Sequence, residues 1–570
     1  MMRAILAFLA WGPCVLAAAG EASPPVRPPV CPELTPRQGQ ALVRRARRAM
    51  SLYLARRIDA RSMPVPDALA ALRARHDAAA VTLRQGSEVV AVEIRAGRDL
   101  CTHVAAAAQR AMRSHRLPDR IDQKVLDALL VEVEVFSALR QVDRSDLPKA
   151  FVPGLTGVAY FRGDLAASLD RRHGVSWVLP SAGYVLGLDA EDLRRAAMGR
   201  FRLTGDNASA PSRLGVFATR HYVGFPDGRV VELFRGKKMS LRAKVDGQAL
   251  AAAADKVGAF LARHQDEDGR YHAPAARETL ADHLYAAWAM ARLARRRPDP
   301  RLARSAALAI RHGVQRARRG DGRALVEDSA PDATLRTTAL LALAMGQVDP
   351  GTETRRLRAD LLRGLLAELP DIAPSSRPTS RPTSRPASRP APSAGPWLAL
   401  LALGDGRALG EAGARQVQEL RKAWRQVRPT TAAGVHWACR AGLGSRSSLL
   451  AGGGPDGGGN ITQAGAERPA DEIGGFAEGG AGPSTVLTGM RAACIARALK
   501  GSPAGAAEMR RARIVLTAAR KFCFGMMYQA PEAYFAREPD AWLGGVREGP
   551  GTARVTISAC AAAIEAFLAE

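Results

Sequence analysis

Acidic residues, aromatics, cysteine and long apolar runs are all scarce in this chain of 570 residues. Asp and Glu number 55 against 82 Lys and Arg, a formal charge of +27. That excess, mostly Arg, invites anionic partners such as an anionic envelope polymer. Aromatics are only 5 %, too few to build the stacking platforms that single-stranded nucleic acid requires, so no nucleic-acid partner is expected. The richness in Ala, Arg, Gly and Pro reads as a GC-rich coding bias. No C-x2-C pair exists, so no structural zinc and no other metal is expected. Six cysteines follow the first 22 residues: Cys31, Cys101, Cys439, Cys494, Cys523 and Cys560. Six in so long a chain do not make a disulfide framework, and on apolar helices a free buried thiol is the commoner state.

The first residues do carry an apolar run, Ala4 to Leu16, behind Met1-Met2-Arg3. It is short, interrupted by Gly12-Pro13 and followed by small residues, which predicts a secretory signal peptide over 1–22 and an exported chain, periplasmic or extracellular. No later run suits a bilayer, so the mature chain is expected to lack a transmembrane helix. A Pro-rich lead-in occupies 23–33.

Residues 34–208 mix both periodicities. A helix begins at Pro36 and runs past Tyr53, strands fall at 80–83 and 89–94 about Gly86, and an Ala-rich helix spans 100–112. Val131-Glu132-Val133-Glu134-Val135 alternates as a half-exposed strand does. Strands at 157–161 and 176–179 and a helix near Ala190 complete an α+β domain. Asp227-Gly228 between apolar runs predicts a β-hairpin, read as a connector over 209–246.

From residue 247 a helix, Gly turn, helix unit recurs. Gly269 precedes Thr279 and an apolar run; Gly475 precedes Thr485, Gly545 precedes Thr556, and Asp321-Gly322 precedes Thr334. Four copies of a unit that cannot bury its own apolar face predict a stacked helical array. It is interrupted by a Ser-Arg-Pro repeat within 374–396 and by a Gly-rich loop over 451–460, neither of which can form a core.

Two resemblances follow from these residues. Gly258-x-Phe260-Leu261-x3-Gln265-x3-Gly269-x-Tyr271 resembles the glutamine-tryptophan repeat of the squalene cyclase and prenyltransferase superfamily, with Tyr in place of Trp. The resemblance implies an all-α α/α toroid over 247–570, outer helices ending in the Gly turns and inner helices lining a cavity. The fold class is therefore multidomain, an α+β domain followed by a toroid of helical hairpins. In the first half, Leu34-Thr35-Pro36, Val131 to Val135, Pro153-Gly154-Leu155-Thr156-Gly157-Val158, Leu179-Pro180 and Asp189-x-Glu191 resemble the AMMECR1 family in order and spacing. That family's hallmark Leu-Arg-Gly-Cys-Ile-Gly is absent, since the chain reads Val-Val-Ala-Val-Glu-Ile at 89–94.

Residues at the starts of inner helices are the candidates for chemistry, because unsatisfied N–H groups also gather there. They are Asp282 and His283, with His436 and Cys439 on one face of a helix, as catalytic candidates; Thr279, Arg336 and Thr485 are the ligand-binding candidates. No cofactor is indicated. The Asp-x-Asp-Asp acid of hopene-type cyclases has only Asp266-Glu267-Asp268 as a counterpart, and that lies in an outer turn where solvation prevents strong-acid behaviour. The Asp-x-Cys zinc pair of prenyltransferases is missing too. The reading favoured is an exported protein whose toroid binds a hydrophobic or glycan ligand without cyclase chemistry. The alternatives are an enzyme acting on an isoprenoid or polysaccharide, and an envelope protein binding an anionic polymer.

Overall fold

The structure, a computed structural model, describes residues 29–569, less 163–174, 201–211, 239–244, 373–393, 444–459, 462–469, 478–481, 501–504 and scattered single residues and short runs. The signal-peptide segment, the Ser-Arg-Pro repeat and most of the Gly-rich loop lie outside the described residues. Among the described residues no helix is long and apolar enough to cross a membrane.

The first half is built on an antiparallel sheet. Its main strands are β1 (His76–Gln85), β2 (Glu88–Arg98), β3 (Leu130–Phe136), β4 (Thr156–Arg162), β5 (Val175–Val178), β6 (Ser212–Gly224) and β7 (Val230–Phe234), ordered β2-β1-β3-β6-β4-β5, with β7 also on β6. Helices α1 (Pro36–Leu54) and α2 (Leu100–Ala111) cover one face, burying Leu42, Val43, Val104 and Ala108 against Val81, Val131 and Val133. Thr35 opens α1 with a capping box to Gln38, as Thr-Pro at a helix start should. Helices α3 (Pro180–Leu186) and α4 (Ala190–Arg200) follow β5.

Two expectations change here. The predicted hairpin is no connector: β6 is a 13-residue strand at the centre of the sheet, pairing with β4 along its first half and with β3 and β7 along its second. Nor is β3 half-exposed. Every residue of it is buried, Glu132 and Glu134 included, because helices cover one face and the second half of the chain covers the other.

That second half is helical. Inner helices α6 (Leu280–Arg296), α8 (Pro331–Met345), α10 (Ala394–Leu403), α12 (Ala432–Arg440), α13 (Thr485–Lys500) and α15 (Ile557–Leu568) each pack on the next, and α15 packs back on α6, closing a ring. Among the described residues five outer helices surround it: α5 (Gly247–Arg263), α7 (Pro300–Gln315), α9 (Thr352–Ile372), α11 (Gly410–Arg425) and α14 (Ala506–Met526). This is the arrangement of an α/α toroid. Helix α10 begins at Ala394, inside the stretch assigned to the insertion. The inner helices are apolar and Ala-rich nearly all round, since each is flanked by two inner neighbours and an outer layer. At the α13–α15 crossing a Cβ on Gly489 would stand 2.3 Å from Ala562 O, so only glycine permits that approach.

The turns explain the repeat. Gly269, Gly474 and Gly544 have φ of +89°, +85° and +87°, and a Cβ on each would stand 2.3–2.4 Å from a backbone oxygen of an outer helix: Leu308, Ala518 and Lys256 respectively. In the two Gly-Gly pairs the left-handed residue is thus the first, not Gly475 or Gly545 as expected from the spacing. The second glycine instead makes room for an aromatic ring, Phe522 or Phe260. Two residues beyond each left-handed glycine, the chain amide donates to a side chain in the first turns of the next inner helix. Tyr271 N–H reaches His283 Nδ1 at 3.2 Å, Phe476 N–H reaches Thr488 Oγ1 at 2.8 Å, and Val546 N–H reaches Cys560 Sγ at 3.4 Å. In the copy that contains Gly322 the donor is four residues on, Val326 N–H reaching Thr338 Oγ1 at 2.9 Å. Gln265 of the repeat donates to Gly269 O and Ser305 O, at 2.8 and 2.9 Å, and so ties its own turn to the neighbouring outer helix. Asp266 accepts from Arg270 N–H at 2.7 Å, a structural role for the acidic turn.

Gly322 is left-handed too, at φ +71°, but has open space around it. Gly269→Ala should therefore cost clearly more than Gly322→Ala: roughly 3 kcal/mol or more for strain plus backbone clash, against about 1 kcal/mol for strain alone. Equal losses in urea unfolding of the two variants would show that the turn does not bear on the outer helix.

Candidate functional site

Helix α6 sets Tyr285, Trp288 and Arg292 along one face, at the spacing of successive turns. Helix α12, opposite it in the ring, presents His436, Trp437 and Arg440, and α15 presents Glu565. These seven side chains meet on the axis. Glu565, 1 % exposed, accepts from Tyr285 OH at 3.0 Å, from Arg440 Nη1 at 2.7 Å and from Arg292 Nη1. The Trp288 and Trp437 rings lie 5.6 Å apart, and the Arg292 and Arg440 guanidiniums stand 5.1 and 4.8 Å from the Trp288 ring centre. His436 donates from Nδ1 to Met490 O at 2.7 Å, while its Nε2 stands 3.6 Å from Glu565, beyond a hydrogen bond.

Burial alone would raise the Glu565 pKa, but Arg440, with His436 and Arg292, holds it down to about 2. Burial drives Tyr285 well above its usual range, and Glu565 pushes it the same way. Burial also lowers His436, against the pull of Glu565. The axis thus holds a permanently ionised carboxylate, a neutral phenol and two cations. An acid of pKa near 2 does not protonate a leaving group at neutral pH and is a weak base, so this cluster is built to hold charge rather than to move protons.

The sequence-predicted residues scatter. Thr279 and Asp282 form a reciprocal capping box at the start of α6, with Thr279 Oγ1 accepting from Asp282 N–H at 3.2 Å and Asp282 Oδ2 accepting from Thr279 N–H at 3.1 Å. His283 is fully buried away from the axis, accepting at Nδ1 from Tyr271 and donating from Nε2 to Ala309 O at 3.1 Å. It is the counterpart of Thr338, Thr488 and Cys560 in the other copies, a turn anchor. Thr334 lies within the first turn of α8, which is capped by Ala330 and Pro331 instead. Arg336, on α8, stands near Asp332 and keeps an Nε buried without a hydrogen bond. Thr485 donates to Arg547 O at 2.6 Å, tying the start of α13 to the turn before α15. Of the candidates, Thr279, Asp282 and His283 sit together at the start of α6, and His436 and Cys439 share a neighbourhood on α12. Missed altogether were Glu565, Arg292 and Arg440. The signal for Glu565 was a lone charge inside a helix apolar on every side, which has to be paired once buried; Arg292 and Arg440 carry no such local signal, since α6 holds further charges and Arg440 ends α12.

A second polar cluster joins the two halves. Glu132 of β3 pairs with Arg84, lies 2.8 Å from His221 Nε2, and accepts from Tyr534 OH at 3.1 Å. Burial would raise this carboxyl too, yet Arg84 and His221 bring it to about 2. Thr219 and Ser181 donate to Glu134. Beside it Arg547, wholly buried in the turn before α15, donates to Tyr184 OH at 2.8 Å and to Glu532 at 3.3 Å, and Arg235 donates to Glu472 at 2.8 Å. A small enclosed cavity lies there, lined by Glu134, Ser181, Thr219, His221, Arg235 and Tyr534 among others.

No protein-family model and no curated protein matches the chain. Among solved structures it is similar to the uncharacterized protein PH0010 from Pyrococcus horikoshii, at 19 % identity and TM-score 0.29 over 34 % of this chain and 96 % of that one. It is also similar to the α-1,6-mannanase GH76A from Salegentibacter sp. HEL1_6, at 10 % identity and TM-score 0.35 over 56 % and 98 %. A third is the unsaturated glucuronyl hydrolase of Bacillus sp. GL1, at 13 % and 0.36 over 57 % and 96 %. Identities and scores this low leave function to be argued from the site.

Burial lowers His283 from 6.5 to about 4, so its neutral form contributes stability above pH 6.5 that is lost as pH falls towards 4, on the order of 3 kcal/mol. Glu565 and Glu132, lowered from 4.5 to about 2, contribute above pH 4.5 and lose it as pH falls towards 2. Urea unfolding from pH 8 to pH 4 should show stability declining below about 6.5, and His283→Asn, which keeps an acceptor, should flatten that decline. Glu565→Gln should lose about 3–5 kcal/mol at pH 7, because two buried guanidiniums lose their counter-charge. A flat wild-type profile across this range would rule out the buried neutral histidine.

Proposed function

We propose that the protein is an exported, non-catalytic binding protein whose helical ring takes a glycan, with acidic sugars favoured. The observation that carries this is the axis cluster: two Trp rings with two guanidiniums over one of them, beside a carboxylate whose hydrogen-bond capacity and charge are already taken up. The buried Trp288 ring backs both guanidiniums, and guanidiniums bind hydroxyl and carboxylate groups in fixed, often bidentate geometry. The Arg292 and Arg440 side chains keep 17 % and 10 % exposure, so the cluster has one edge in water, towards the carboxyl end of α6 rather than at the helix starts favoured by sequence. Glu565, held down to about 2, and Tyr285, pushed well above its usual range, are both poorly placed for acid–base work at neutral pH, which supports binding over hydrolysis. Export rests on the amino-terminal sequence, and the α+β half is read as an AMMECR1-like module without its hallmark motif, clamped to the turn side of the ring.

Titration calorimetry of the mature protein against neutral, mannose-based and uronic-acid oligosaccharides should give saturable binding that Arg292→Gln weakens at least about tenfold while the thermal melt stays cooperative. Release of reducing ends would replace this reading with the enzymatic one. Failure of every oligosaccharide to bind would reject it.

A further inference from the structure

Helices α12 and α13 differ from every other neighbouring pair of inner helices in what joins them. The connection runs over 441–484, is rich in glycine, and contributes no outer helix among the described residues. The two helices meet directly in the ring. Two cysteines sit in that contact. Cys439 is on the last turn of α12, one turn beyond His436, and Cys494 is on α13 with its Sγ 3.2 Å from His436 Nδ1 and 3.4 Å from His436 O. Cys494 Sγ thus lies against the turn of α12 that carries Cys439, and each thiol shifts the other's ionisation. Cys494 is buried and Cys439 half-buried, and Arg440, Arg491 and Arg497 surround Cys439.

We propose that Cys439 and Cys494 form a reversible dithiol/disulfide pair that clamps α12 to α13 across their contact in the ring. Cys439 is the attacking group: it is the accessible one, and the neighbouring guanidiniums favour its thiolate. Its sulfur attacks a small-molecule disulfide, that S–S bond breaks, and one thiolate leaves, giving a mixed disulfide on Cys439. Cys494 then attacks the Cys439 sulfur, its proton passing to the departing thiolate, and the second small thiol leaves. Two protein thiols are oxidised and one external disulfide is reduced to two thiols. Because the bond closes a long, Gly-rich loop, it removes far more freedom from the unfolded chain than from the folded one. The pair acts on the ring whatever the ring binds.

The test uses the full mature chain, treated with oxidised glutathione or with dithiothreitol, then alkylated under denaturing conditions and digested. Mass spectrometry should find Cys439 and Cys494 joined in one linked peptide in the oxidised sample and alkylated separately in the reduced one. The oxidised form should melt roughly 5–10 °C higher, a difference that Cys439→Ser abolishes. Cys494→Ser should hold glutathione on Cys439. Separate alkylation of both cysteines after oxidation, or a cross-link to another cysteine, overturns the pair, and a cross-link without a melting rise overturns the clamp. Should Cys494→Ser not fold, the peptide map of the unaltered chain decides alone.

Discussion

A single carboxylate placed on the axis of a helical ring is an expensive group to bury, and the inner ring is arranged around that fact. Glu565 sits in a helix whose remaining residues are Ala, Ile, Phe, Leu, Cys and Ser, so nothing on α15 can satisfy it. Its partners come from α6 next door and from α12, two places away in the ring. Because one of its oxygens takes both Arg292 and Arg440, those helices cannot rotate or slide independently without stranding a charge. Trp288 and Trp437 fill the space beside the ion pairs and carry the guanidinium stems, so the polar contact and the apolar packing are one layer. The cost of desolvating this layer is offset only in one register. That makes it a device for specifying the ring rather than a large source of stability.

The seam between the two halves repeats the solution. Glu132, Glu134, Arg547 and Arg235 are as buried as Glu565, and tyrosines 184, 528 and 534 supply hydroxyls where backbone cannot reach: Tyr184 and Tyr528 share a hydrogen bond at 3.2 Å while Tyr528 also donates to Ala553 O at 2.9 Å. The turn between α14 and α15 therefore serves two masters. Its Gly544 bears on the outer helix α5, while its Arg547 and Tyr528 hold the α+β half. A sheet face of alternating Val and Glu finds charge partners instead of water, and the two halves become one packed body.

What the sequence revealed was what is locally determined. Left-handed turns need glycine, helix starts need Thr or Asp, and both signals lie within a few residues of the structure they cause. Hence the repeat and the elements of the α+β half were legible from pattern alone. The one-residue shift in the Gly-Gly pairs was not, because either glycine can take positive φ and only the approach of Ala518 or Lys256 decides which does. The burial of Glu132 and Glu134 was hidden for the same reason: an alternating strand looks identical whether its polar face meets water or a second domain. His283 drew attention because a histidine looks like chemistry, and in this frame it occupies the slot that Thr338, Thr488 and Cys560 fill in the other copies.

That interchangeability separates scaffold from function. A slot filled in four copies by histidine, threonine, threonine and cysteine asks only for an acceptor at the right height, so its residue type carries no chemical message. Glu565 has no such counterpart among Ala-rich neighbours, and neither does the pairing of Arg292 with Arg440 over one indole. The break in the repeat marks where the ring stops being generic. A carboxylate locked by two guanidiniums and a phenol cannot shuttle a proton near neutrality, whereas the guanidinium edges that remain in water can still meet hydroxyls and carboxylates.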